Sequence, residues 1–180
     1  MAALKPVTDR VVLVANDTER YAGERLPVRP DIRVGIGALG GVHTAVSWAK
    51  EEGAVGALVL ACDMPFVPPM LVARLVERLE HDRVVVPASS GPRGFEPLCA
   101  AYGVECLRQI EDAIDRGDRA VISFFDRVTV DVMALAEVAV HGDPDTIFFN
   151  VNRPGDRAVA DALLAGHQAK DRTDEGETTP

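Results

Sequence analysis

A chain of 180 residues with a formal net charge of −9 is long enough for one domain, and too acidic to have a nucleic-acid backbone or an anionic membrane as its main partner. Hydrophobic residues make up 47% of it and aromatics only 5%, so Val, Ala and Leu must form the core, which suits a parallel sheet under helices better than a β-sandwich. Cys62, Cys99 and Cys106 have no zinc spacing and are odd in number; with no signal-peptide pattern and no apolar run near the roughly 20 residues of a membrane span, the chain reads as cytoplasmic.

Arg10 to Asn16 is a short apolar, β-branched run closed by a turn residue, and it predicts a buried strand. A helical turn over Asp17 to Tyr21 follows, capped by Asp17 or Asn16, and Pro27 to Asp31 is too proline-rich for anything but an edge strand or extended loop. Gly35 to Gly41 predicts a flexible loop, and His43 to Glu52 a helix with Ala45, Val46 and Ala49 on one face. Ala57 to Cys62 is continuously apolar, as a strand buried on both faces should be, and Asp63 stops it. Pro68 or Pro69 opens a helix over Met70 to Leu79, and Arg83 to Pro87 is a third strand. After a loop at Ser89 to Gly94 come a strand (Pro97 to Tyr102), an amphipathic helix (Cys106 to Asp115) and a short helical piece (Ala120 to Phe125). Arg127 to Val132 predicts a strand showing Val128, Val130 and Val132 on one face. Phe148 to Asn152 closes the fold as a strand, and Pro154 to Leu164 is the last helix. The polar residues 168–180 predict a disordered tail behind a single domain of residues 1–167.

Strands alternate with helices throughout, which predicts an α/β fold with a doubly wound, mostly parallel, Rossmann-like sheet. Ligands of such sheets bind beyond the carboxyl ends of the strands. That rule singles out Asn16, Asp63, the Ser89–Gly94 loop, and Asn150 with Asn152. Asp63 is the sharpest signal, an ionisable group placed after six apolar residues. Its oxygens suit a hard cation, although an Asp after a strand serves equally as a helix cap or turn former.

Three stretches then resemble one family in order and spacing: Gly37-Ala38-Leu39-Gly40-Gly41, Ala61 to Pro69 around Cys62-Asp63-Met64-Pro65-Phe66, and Phe149-Asn150-Val151-Asn152-Arg153-Pro154. They resemble the G-P-L-A-G, C-D-M-P-F and N-V-N-x-P signatures of the molybdenum cofactor guanylyltransferases, MobA-like nucleotidyltransferases, over roughly residues 4 to 165. The resemblance implies transfer of GMP from GTP to the phosphate of molybdenum-bound molybdopterin, with Mg²⁺. It implies Asp63 as the Mg²⁺ ligand and catalytic residue, Asp31 as a nucleotide contact, and small-molecule substrates, with partners in the maturation of molybdoenzymes. The physics agrees: the protein must align phosphates and neutralise developing charge, and a metal held by one or two carboxylates does much of this. Gly40 and Gly41 would let backbone N–H groups approach the nucleotide, while Asn150 and Asn152, two apart on a strand, would share a face toward the second substrate.

The sequence also departs from the family. Its opening strand and loop, L-A-G-G-x-S-x-R-M-G-x-D-K, matches nothing here, and Met1 to Asp9 resembles the end of the helix that should follow it. The resemblance thus implies a fold N-terminally truncated by about one βα unit, with a gap beside a central strand and weak GTP binding. Either the true start lies upstream, the favoured reading, or the chain is a degenerate relative. Ala38 stands where the family has Pro, Val14 where some members have a polar residue, Glu96 where a neutral polar residue or His is common, and Ala120 where a second Arg is common. Glu96 and Ala120 make the site less welcoming to an anionic pterin.

Gly35 to Gly40 also matches G-x-G-x-x-G, but a dinucleotide fingerprint needs a strong strand before it, and Pro30 to Val34 is a weak one. His43, His81, His141 and His167 have no partner at ligand spacing and read as surface or capping residues. Besides the enzyme, two readings stand: a non-catalytic binding protein that keeps the crevice, and a nucleotidyltransferase for another nucleotide or a sugar phosphate. Base choice and oligomeric state are not written in this sequence.

Overall fold

Two separate sheets, rather than one, organise the chain in the computed structural model, which describes residues 3–4, 7–8, 10–23, 25–153, 155–156, 158–160 and 162. The smaller sheet is a parallel pair, β1 (Leu13–Val14) with β2 (Val28–Arg29). The larger has the order β3 (Gly56–Leu60), β5 (Cys99–Gly103), β4 (Arg83–Pro87), β6 (Thr129–Met133). In it β3, β4 and β6 run in one direction and β5 runs against them, so the sheet is mostly parallel. The reversal has a local cause. The β4–β5 link is short and closes on itself through Ser89 N–H to Gly94 C=O at 3.0 Å and Glu96 N–H to Pro87 C=O at 3.0 Å. A connection of that length can join only antiparallel neighbours.

Both faces of this sheet are covered, because the side chains of β4 and β5 alternate between two apolar clusters. Val84, Val86, Ala100 and Tyr102 pack under α1 (Ala38–Glu51) and α3 (Leu107–Asp115). Val85, Cys99 and Ala101 pack under α2 (Pro69–Glu77), α4 (Leu135–Ala139) and α5 (Pro144–Ile147). Pro69 sits at the start of α2, where its missing N–H costs nothing, and Leu71 and Leu75 are fully buried.

Several elements differ from the sequence reading. Helix α1 begins at Ala38, not His43, so Gly40 and Gly41 lie in its first turn rather than in a loop. Gly37 makes this possible at φ 73, a left-handed conformation that suits glycine, and a side chain at Gly40 would stand 3.0 Å from the Arg33 carbonyl. Strand β3 is not buried on both faces, since only Ala57 is fully covered. Its free edge meets a cavity of about 1040 Å³ that separates it from β1, lined by Val12, Val14, Trp48, Leu58, Leu60 and Met64 among others. For the same reason β1 is half-exposed and only two residues long. On β6, Val130 packs inward, yet Val132 is 45% exposed and Met133 fills the opposite cluster. Phe148 to Asn152 is irregular chain, not a strand, and follows the short helices α4 and α5, which the sequence reading missed. The described residues from 155 to 162 are helical; Pro154, Leu163, Leu164 and residues 168–180 lie outside the described residues. No helix among the described residues is long and apolar enough to cross a membrane.

Candidate functional site

At the end of β1 the chain turns, and the Asn16 side chain faces Asp31 just past β2. The Asn16 amide donates to Asp31 Oδ2 at 2.8 Å, and Asp31 N–H donates back to Asn16 Oδ1 at 2.9 Å. This reciprocal pair fixes the Asp31 carboxylate over the first turn of α1, where side chains built at Gly40 and Gly41 would come within 3.7 and 3.9 Å of it. No side chain caps that helix start; the Gly40 and Gly41 N–H groups both turn back to the Gly37 carbonyl, at 3.0 and 3.4 Å, and the positive end of the helix dipole is left to an anion. Thr44 anchors the approach, accepting from Ile32 N–H and donating to the Gly40 carbonyl, both at 3.0 Å. Arg119 donates to the Gly35 carbonyl from the other side, and Arg33 pairs with Asp115 at 2.7 Å. Nothing in the sequence signalled Thr44, because a hydroxyl within a helix is unremarkable until its partners are known.

Asp63 occupies the turn after β3. It is not a helix cap: the N-cap of α2 is Pro68, and that helix has no side-chain cap bond. Oδ1 of Asp63 is buried and without a hydrogen-bond partner among the described residues. A buried carboxylate oxygen left unpaired is costly unless a cation or donor arrives to satisfy it. The Asp63 carbonyl accepts from Val151 N–H at 2.9 Å, and the Phe66 and Phe149 rings lie 6.3 Å apart, so the Asp63 turn and the segment from Phe148 to Asn152 are held together. No cluster of three or more His, Cys, Asp or Glu side chains forms a metal cage among the described residues. The orphaned oxygen of Asp63 fits a divalent ion whose remaining ligands are phosphate oxygens and water, the usual situation for magnesium.

Asn150 and Asn152 come close to Asp63 in the chain's path, but the pleat argument for a shared face fails because no strand forms there. The Asn150 amide donates to the Phe148 carbonyl at 3.1 Å, and Asn152 N–H donates to Asp156 at 3.0 Å. The G-x-G-x-x-G run is a decoy: β2 ends at Arg29, and only bends and turns separate it from Gly35. His43 is buried, contrary to its expected surface role, and lies 3.5 Å from Glu111. Burial pushes the Cys99 and Cys106 thiols up, to about 12 and about 11, as inert fillers require; Cys62 is exposed.

The structure thus gathers the predicted residues into two groups. Asp31, Gly40 and Gly41 meet at the end of β1, and Asp63 meets the Asn150–Asn152 segment at the end of β3, with the cavity between the two strands. Comparison with known proteins places the chain in a family. Residues 1–132 match the MobA-like NTP transferase domain. A probable molybdenum cofactor guanylyltransferase of Pelotomaculum thermopropionicum is 34% identical over 87% of this chain and 74% of its own length. A molybdenum cofactor guanylyltransferase of Desulfosudis oleivorans is 30% identical over 89% of this chain and 78% of its own. Among solved structures, the molybdopterin-guanine dinucleotide biosynthesis protein A of Archaeoglobus fulgidus superposes with a TM-score of 0.71 at 25% identity, over 86% of this chain and 78% of that one.

Proposed function

Because the chain belongs to the MobA-like NTP transferase family, and is a nucleotidyltransferase by that membership, we propose that it transfers GMP from GTP to the phosphate of a molybdopterin-type acceptor with Mg²⁺. It does so in the cytoplasm, alongside partners that mature molybdoenzymes. The acceptor's phosphate oxygen forms a bond to the α-phosphorus of GTP as the bond to the bridging oxygen breaks, and diphosphate leaves. Magnesium, when bound, neutralises charge on the phosphates. The rest of the work is alignment, which falls to this chain's own groups.

The single observation that carries the reading is the orphaned, buried oxygen of Asp63 at the carboxyl end of β3. Asp63 holds the ion. Asp31, clasped by Asn16, accepts hydrogen bonds from the nucleoside, and the start of α1, kept open by the bare backbone of Gly40 and Gly41, faces the nucleotide. Asn150 and Asn152, on the segment bonded to the Asp63 turn, meet the acceptor. Titration of GTP with and without Mg²⁺ tests this. Asp63→Asn should abolish the magnesium-dependent part of binding, about tenfold or more, and leave metal-free binding unchanged. Asp31→Asn should weaken both. Equal GTP–Mg²⁺ binding by Asp63→Asn and the parent chain would sink the proposal, and stronger binding of CTP would redirect it to another nucleotide.

A further inference from the structure

The loop after β4 carries a second, smaller cavity, of about 140 Å³, lined by Ser89, Ser90, Gly91, Glu96, Asp145 and Phe148 among others. Its walls are built rather than incidental. Backbone bonds at both ends of Glu96, N–H to Pro87 at 3.0 Å and C=O from Cys99 at 3.1 Å, fix where its carboxylate stands. Gly91 leaves the space open: a side chain built there would come within 3.4 Å of Ser89 Oγ and 3.6 Å of Glu96 Oε1. The Ser90 hydroxyl donates to Asp145, and Ser89 donates weakly to Glu96 at 3.3 Å. No Lys or Arg lines the cavity, and Glu96 forms no ion pair among the described residues. Burial pushes the Glu96 carboxyl above its ordinary range, against the opposing pull of the Ser89 hydroxyl and of Arg93 nearby.

Such a wall offers acceptors and repels anions. A phosphate would meet two carboxylates, whereas adjacent N–H groups on a flat ring would meet a partly desolvated carboxylate, the arrangement that gives strong paired hydrogen bonds. The cavity shares Phe148 with the segment that bonds to the Asp63 turn, so it lies at the same end of the sheet as the proposed chemistry. We propose that this cavity is a subsite for the 2-amino-4-oxo edge of a fused pyrimidine ring, with Glu96 accepting from its amino and ring N–H groups. Assigning that ring to the acceptor substrate rests on the proposed function; the binding chemistry does not.

The edge occurs in both a pterin and guanine, so both are titrated into the full chain: 2-amino-4-hydroxypteridine, 4-hydroxypteridine lacking the amino group, and GMP. The aminopteridine should bind about tenfold tighter than its deamino analogue, and Glu96→Gln should remove that difference. Asp63→Asn should leave aminopteridine binding unchanged, which separates this subsite from the metal site and lets either proposal fail alone. Circular dichroism of Glu96→Gln, and of Ser90→Ala as a second variant in the same wall, checks that folding is retained. Equal binding of the two pteridines, or full binding by folded Glu96→Gln, would overturn the subsite. Glu96-dependent binding of GMP without that of the aminopteridine would place the nucleotide base there and overturn the assignment to the acceptor.

Discussion

Asn16 and Asp31 show how little chemistry it takes to aim a carboxylate. Two hydrogen bonds between them, 2.8 and 2.9 Å long, join the ends of the two shortest strands and hold Asp31 above the glycine turn of α1. Asn16 is exposed and Asp31 only half-buried, so the clasp contributes little to overall stability and mostly fixes direction. Asn16→Ala should therefore cost about 1 kcal/mol or less in chemical denaturation, and yet weaken GTP as much as Asp31→Asn does. A double mutant no worse than either single one would confirm that the pair acts as a unit. Asp63 makes the opposite point. Its position was readable from the apolar run before it, but whether it caps a helix was not, because a cap and a ligand want the same residue in the same place. The Pro68 cap excludes the first use, and the lone buried oxygen is what the proposed metal site is argued from.

Helices and strands were legible where one local rule governed them. The run Arg83 to Pro87 is strand β4 to the residue, because its β-branched residues lie between neighbours on both sides. Helix α2 follows its proline start and its Leu71 and Leu75 spacing. Leu75→Ala, which empties a fully buried position in the cluster beneath α2, should cost about 2–5 kcal/mol and lower the melting temperature without moving GTP affinity. A parallel loss of affinity would mean that α2 sets the Asp63 turn. Elements failed where a distant partner decides. Gly40 and Gly41 read as loop by propensity, yet both lie inside a helix, and at Gly40 the close approach of the Arg33 carbonyl favours a bare backbone. Phe148 to Asn152 had a strand's composition but has no neighbouring strand to pair with.

For the whole molecule, the dominant feature is the cavity of about 1040 Å³ between β1 and β3. Protein interiors pack at crystal-like density, so an apolar void of that size leaves the facing edges of two strands unpaired and Leu58, Val59 and Leu60 only partly buried. The native chain should accordingly bind an apolar dye such as anilinonaphthalene sulfonate, with fluorescence that disappears as the fold melts. Failure to bind it would show that β1 and β3 close up in solution. The same void separates the candidate residues into two groups, one at each strand end, instead of one cleft.

The sequence by itself determined the α/β class, the covered sheet and the family, because these follow from local period and from short runs of residues adjacent in the chain. Tertiary structure alone decided that β5 runs backwards, that Asn16 clasps Asp31, that Asn150 and Asn152 sit on irregular chain, and that Glu96 faces a cavity. Each of those depends on which distant segment supplies the partner for a backbone or side-chain group, and pairing between distant segments leaves no periodic trace in the chain that carries it.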